Sequence, residues 1–238
     1  MVRAFAHIER DKMANQSRRV EHNGSIAARI LDEKTVYAGY ISVLRRRVEF
    51  ASPGALADGA RANDAAAATT SEIVDFDIAG HPSTTFKCAV VLPYHSDTNE
   101  VTVVREYAHG PGRYTYALPS GNFDPKNHKD LHDTAVHELE EEAHLTKGTW
   151  HALLPRDHPG VPEVKWCANA FTPYLCVDPE AHGAPKSRDW VETVSGQRVE
   201  RVDMDEFVAM LTEGRLLLPS IATGFMAIAR LRQLGMGV

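Results

Sequence analysis

Three runs rich in β-branched residues, SEIVDFDI, TFKCAVVLPY and EVTVVREYA, follow one another between Ser71 and Ala108, and only the turn residues SDTN and one histidine separate the last two. Such a succession predicts antiparallel strands. The loop HGPGRYTYALPSGNFDPKNHK comes next, and then a helix expected over Leu131–Ala143, opened by Asp130 as N-cap with Asp133 favourable to the N-terminal dipole. Further strands are expected in VKWCANAFTPYLCV and RVERVD. Two helices close the chain, one framed by Asp203 and Glu206 and stopped by Gly214, the other following Pro219. Strands before, a helix inside, and strands and helices after predict an α+β fold without internal repeats. Ahead of this, Thr35–Phe50 reads as one or two strands and Ser52–Thr70, small and Ala-rich, as a long loop. The organisation expected is an N-terminal strand region and loop over residues 1–70, then one domain over 71–238.

With 238 residues, 43% of them hydrophobic, the chain can bury one ordinary domain core plus an appendage. A net charge of −6 gives no general pull toward nucleic acid, so an RNA partner would need a local basic patch, for which Arg45 to Arg47 is the only concentrated run. Cys88, Cys167 and Cys176 are odd in number and lack CxxC spacing, which argues against a disulfide framework and a Cys-rich zinc site. No apolar run approaches the roughly 20 residues that span a bilayer. A soluble, cytoplasmic protein is expected; a mitochondrial location is the second reading, although Glu9 and Asp11 spoil the N-terminus as a targeting segment.

The helix carries four glutamates within five residues. At about 100° per residue, Glu138 and Glu142 lie roughly 40° apart, with Glu141 about 60° to one side of Glu138 and Glu140 pointing away. Leu131, Ala135 and Leu139 share or border the face of the Glu138–Glu142 pair, so these carboxylates are expected at the edge of the core. Bare carboxylates are costly there, and a hard divalent cation removes the cost because oxygen ligands suit it and its charge offsets their repulsion. In isolation, an ELEEE string reads equally as a solvated acidic face.

Context tips the balance. The passage Val101–Leu145, about 45 residues, resembles the Nudix hydrolase family: Gly121 matches the opening Gly of its signature, and Glu138, Leu139, Glu141, Glu142 and Leu145 match the second half. That resemblance implies an αβα sandwich with a mixed sheet, here with an N-terminal strand extension, and cleavage of a nucleoside diphosphate linked to another moiety. VREY followed by LPSG looks closest to the ADP-ribose and ADP-sugar pyrophosphatases, in which an N-terminal strand region commonly helps form a homodimer. It also implies Mg2+, or Mn2+ in its place, held by Glu138, Glu142 and Glu141 with the carbonyl of Ser120 as a neutral ligand. The general base tends to come from a loop after the signature, where Glu192 and Glu200 lie. Arg105 and Gly121 are expected to border the substrate, and Glu163 in HPGVPEVKW resembles a segment shaping the sugar side of the pocket.

The departures are as specific as the matches. Gly121 stands sixteen residues before His137, two more than the family spacing, and Lys129 occupies the place of the first signature Glu. His137 replaces the signature Arg, and His144 replaces the late Gly, where a left-handed turn ends the helix. Ala108 stands where this branch usually has an Arg. Histidines 128, 132, 137 and 144 invite a zinc site, but their spacing suits solvated or hydrogen-bonding roles better. Core packing is likewise the better reading of Tyr107, Tyr114, Tyr116 and Trp166. Three functions stay open: hydrolysis of ADP-ribose or a nucleotide sugar, pyrophosphate removal from RNA 5′ ends, and a weakened binding module.

Overall fold

The computed structural model describes residues 20–23, 26–52, 70–183 and 196–236, and the chain divides into two compact units, Met1–Ala79 and Gly80–Val238. In the first, β1 (Val20–Asn23), β2 (Ile26–Ala38), β3 (Ser42–Ser52) and β4 (Thr70–Gly80) form a sheet in that order. The expected strand segment Thr35–Phe50 is therefore a hairpin, bent at Gly39–Ile41 where the Gly39 N–H donates to the Ile41 carbonyl at 3.0 Å. β4 lies beside β3 in the order of the first sheet, whereas the sequence reading placed its residues with the following domain. Most of the Ala-rich loop, residues 53–69, lies outside the described residues.

The second unit contains β5 (Lys87–His95), β6 (Glu100–Ala108), β7 (Arg113–Ala117), β8 (Ser120–Asn122), α1 (Leu131–Glu141), β9 (Leu145–Thr146), β10 (Thr149–Ala152), β11 (Val161–Pro162), β12 (Ala170–Val177), β13 (Glu180–Ala181), β14 (Arg198–Asp203), α2 (Met204–Thr212) and α3 (Leu218–Gln233). Its main sheet runs β10-β12-β5-β6-β14 and is mixed, since β12 pairs β5 in parallel while its other pairings are antiparallel. β5 and β6 are bonded only beside their turn, at Tyr94–Val101 and His95–Glu100, and then diverge. The gap is filled by the next stretch of chain: β7 pairs β6 and β8 pairs β5. This split in the sheet brings Ser120–Asn122 against Cys88–Val90.

β5 is a continuous apolar run because both of its faces are covered. Ala89 and Val91 pack with Ala135, Leu139 and Ala143 on the α1 side. Val90 and Leu92, pointing the other way, join Val101, Val103, Phe207, Met210, Leu211, Ile228 and Leu231 of the α2 and α3 side. The result is helix, sheet, helix in three layers. No helix among the described residues is long and apolar enough to cross a membrane.

Candidate active site

α1 starts where its cap dictates. Asp130 accepts the Asp133 N–H at 2.8 Å, and Asp133 in turn accepts the Lys129 N–H at 3.0 Å. That backbone bond, with His137, Lys129 and His128 nearby, holds the Asp133 carboxyl below the ordinary Asp range. The loop longer than the family spacing closes on Asp124, whose side chain accepts from the Lys126 and Asn127 nitrogens and whose own N–H donates to His128 Nδ1. The loop therefore contains a local turn before the helix.

Anchored by Leu139, the carboxylates of α1 meet β8. A side chain on Gly121 would collide with the Glu138 carboxylate, so that carboxylate lies directly over the glycine backbone. Glu142, the C-cap of the helix, is buried, and its Oε2 accepts the Ser120 N–H at 2.8 Å while Oε1 accepts from Gln197 Nε2 at 3.3 Å. Two carboxylates one helical turn apart therefore converge on two consecutive backbone residues. Glu140 faces away, accepting from Thr146 Oγ1 at 3.0 Å. Glu141 is half-buried and, among the described residues, makes no hydrogen bond or ion pair.

Those donors are hard oxygens, the kind that magnesium selects, and Gly121 leaves Glu138 the room to stand beside Glu142. Among the described residues, no group of three or more His, Cys, Asp or Glu side chains is gathered for a metal ion. Magnesium commonly uses one or two protein carboxylates and takes its remaining ligands from water and substrate phosphates, so the pair fits it without a third.

The departures have structural counterparts. His144 adopts φ +57°, the left-handed conformation for which a glycine is the easier residue, and its carbonyl accepts the His182 N–H at 2.8 Å. The His137 ring stands edge-on to His128, centroids 5.0 Å apart, and makes no hydrogen bond to Glu141 among the described residues. His132 packs edge-on against Trp150 and Tyr174, so the histidines of this region separate into aromatic contacts and do not gather as ligands.

Arg105 lies apart from the acidic helix. It shares a strand face with Val101 and Val103, on the side of α2 and α3, and its guanidinium stacks over Tyr114 at 4.9 Å. Glu200, on the neighbouring strand, accepts from the Tyr116 hydroxyl at 3.2 Å, which uses it structurally. Burial, then Glu200, raise the Tyr116 hydroxyl above its ordinary range. Glu192 lies outside the described residues.

Glu163 comes close to the site through a cysteine that the sequence reading treated only as a count. Its oxygens accept from Cys88 Sγ at 3.9 Å, Cys167 Sγ at 3.4 Å and Asn169 Nδ2 at 3.4 Å. Burial pushes the Cys88 thiol up to about 12, and Glu163 and Glu138 both add to the rise, so the two glutamates lie within electrostatic reach of one thiol. Gln197 was the other omission. It stands 55 residues from Glu142 in a stretch with no motif, so periodicity and spacing could not have signalled it.

Comparison with known proteins agrees with this geometry. No family model matches the chain. An ADP-ribose pyrophosphatase of Mycobacterium tuberculosis is 30% identical over 142 residues, which cover 58% of this chain and 67% of that protein. The crystal structure of an ADP compounds hydrolase superposes with a TM-score of 0.59, covering 87% of this chain and 96% of its own at 14% identity, a likeness of fold. With the α+β layers, the split sheet and the Gly121–Glu138 contact, this identity over two thirds of a curated relative means that the chain belongs to the ADP-ribose pyrophosphatase-like Nudix family.

Proposed function

We propose that the chain hydrolyses the pyrophosphate bond of an ADP-linked substrate, ADP-ribose or an ADP-sugar, yielding AMP and a sugar phosphate. The observation that carries this reading is the convergence of Glu138 and Glu142 on Ser120–Gly121 in a relative of an ADP-ribose pyrophosphatase. Magnesium, or manganese, held by Glu138 and Glu142 with help from Glu141 and the Ser120 carbonyl, would neutralise the diphosphate and acidify an attacking water. Glu163 is the carboxylate best suited to take the proton of that water. Glu163 and Glu138 both act on the Cys88 thiol, so the two glutamates lie within electrostatic reach of one group, whereas Glu200 is engaged by the Tyr116 hydroxyl.

An assay with magnesium against ADP-ribose, several ADP-sugars and 5′-triphosphorylated RNA, with products identified by mass, tests this. AMP and ribose 5-phosphate are expected from ADP-ribose, and turnover of RNA alone would discard the reading. Each arginine of the basic run is already engaged, Arg45 by Asp77, Arg46 by Glu33 and Arg47 by Asp75, which weighs against RNA. In the same assay Glu163→Gln should lower kcat by about 10²–10⁴-fold, the scale of general-base catalysis. A native rate would remove Glu163 from this role.

The first unit supports a second proposal, that its sheet pairs two copies of the chain. Its sheet exposes Tyr37, Tyr40, Ile41, Ile73, Val74 and Phe76, with Tyr40 86% accessible. Apolar exposure of this kind commonly marks an interaction surface. Sedimentation equilibrium should give twice the chain mass at micromolar concentration; a monomer throughout would end the proposal.

A further inference from the structure

The signature Arg is absent at His137, and the histidine turns its ring to His128, so the orientation of Glu142 comes from other elements of the fold. We infer that Gln197 supplies it as the positioning residue for Glu142, a neutral clamp standing in for a charged one. The inference rests on the pyrophosphatase reading above.

Glu142 sits where a carboxylate is least welcome. It caps the C-terminal end of α1, the negative pole of the helix dipole, and it is only 7% exposed. Burial and dipole both disfavour its charge, and hydrogen-bond donors must compensate. Donors from two distant parts of the fold reach its oxygens: the Ser120 N–H at 2.8 Å to Oε2 and Gln197 Nε2 at 3.3 Å to Oε1. One bond on each oxygen orients the plane of the carboxylate.

Gln197 has a defined place in the fold, given by the backbone. It is 4% exposed and immediately precedes β14, whose ladder on β6 starts at the next residue, Arg198. Gly196, at φ +69°, turns the chain into this position. A guanidinium in the same place would offset the carboxylate charge and compete with a bound cation, whereas an amide orients the carboxylate and leaves its charge intact. The chain thereby keeps Glu142 oriented without the signature Arg.

The test uses Mn2+ as probe, its affinity for the full chain measured by water proton relaxation, beside kcat and KM for ADP-ribose. Gln197→Met, similar in length but without an N–H, should weaken Mn2+ binding about tenfold, the lower end for losing a partner of a metal ligand, and reduce kcat more than it raises KM. Gln197→Lys retains donors but adds charge, and should weaken Mn2+ at least as much. In a Glu142→Gln background the Met substitution should have no further effect on Mn2+ affinity, because Gln197 acts through that carboxylate. Native Mn2+ affinity in a folded Gln197→Met or Gln197→Lys protein, or additive losses in the double variant, would overturn the inference. If the native chain binds Mn2+, Glu142→Gln weakens it and Gln197→Met does not, only this inference falls. If the native chain binds no Mn2+, the metal reading falls with it.

Discussion

Glu142→Gln is expected to slow turnover at saturating magnesium by about 10²–10³-fold or more, the scale of losing one preorganised electrostatic contact to the transition state. The substitution keeps the size of the side chain, and its amide oxygen can still accept the Ser120 N–H. Gln197 can turn its own amide to present an oxygen to the new N–H, so the buried contact is preserved in a neutral form. Stability should therefore change by no more than about 1 kcal/mol, the net worth of one hydrogen bond. Glu138→Gln should cost as much in rate, because its carboxylate is the one that Gly121 makes room for. Far-ultraviolet circular dichroism and thermal melting would confirm the fold of each variant, and a near-native rate in either would discard the assignment of the pair.

The parts of this fold that local chemistry dictates were legible in the sequence. β6 and β14 begin and end at the residues their β-branched patterns mark, and Asp130 and Asp203 cap the helices they precede. β7 and β8 were not, because RYTYA and SGN lie in a stretch rich in Gly, Pro and Asn, and what makes them strands is the gap between β5 and β6. The first half of β2 was hidden for a related reason. ILDEK carries charge along a sheet that holds it through cross-strand pairs such as Glu33–Arg46, and not through apolar alternation. In the site, helical spacing sufficed to pair Glu138 with Glu142, since both lie on one rigid element. Gln197, Cys88 and the separation of Arg105 from α1 depend on which strands become neighbours and which face each residue takes, and one chain read alone does not encode that locally.

Gly121→Ala should give the other large effect, and it separates the two reasons a glycine can be required. Gly121 does not occupy the left-handed region, so alanine can adopt its backbone without strain and β8 can keep its pairing with Cys88–Val90. What alanine cannot do is share space with the Glu138 carboxylate, which a Cβ would meet at its carbon and both oxygens. The carboxylate must swing away from β8, and with it the alignment with Glu142. A displacement of about 1 Å in a positioned group can cost about 10²-fold, so kcat should fall at least that far while the melting temperature moves by only a few degrees. Mn2+ affinity should fall in parallel. Adding Glu138→Asp shortens the side chain by one methylene and gives the new methyl group room, so the double variant should recover part of the lost Mn2+ affinity, although Glu138→Asp alone weakens binding. Undiminished activity and Mn2+ affinity in Gly121→Ala would mean that the place of Glu138 over the glycine is dispensable. Loss of both without recovery in the double variant would trace the defect to the β8 backbone and not to the carboxylate.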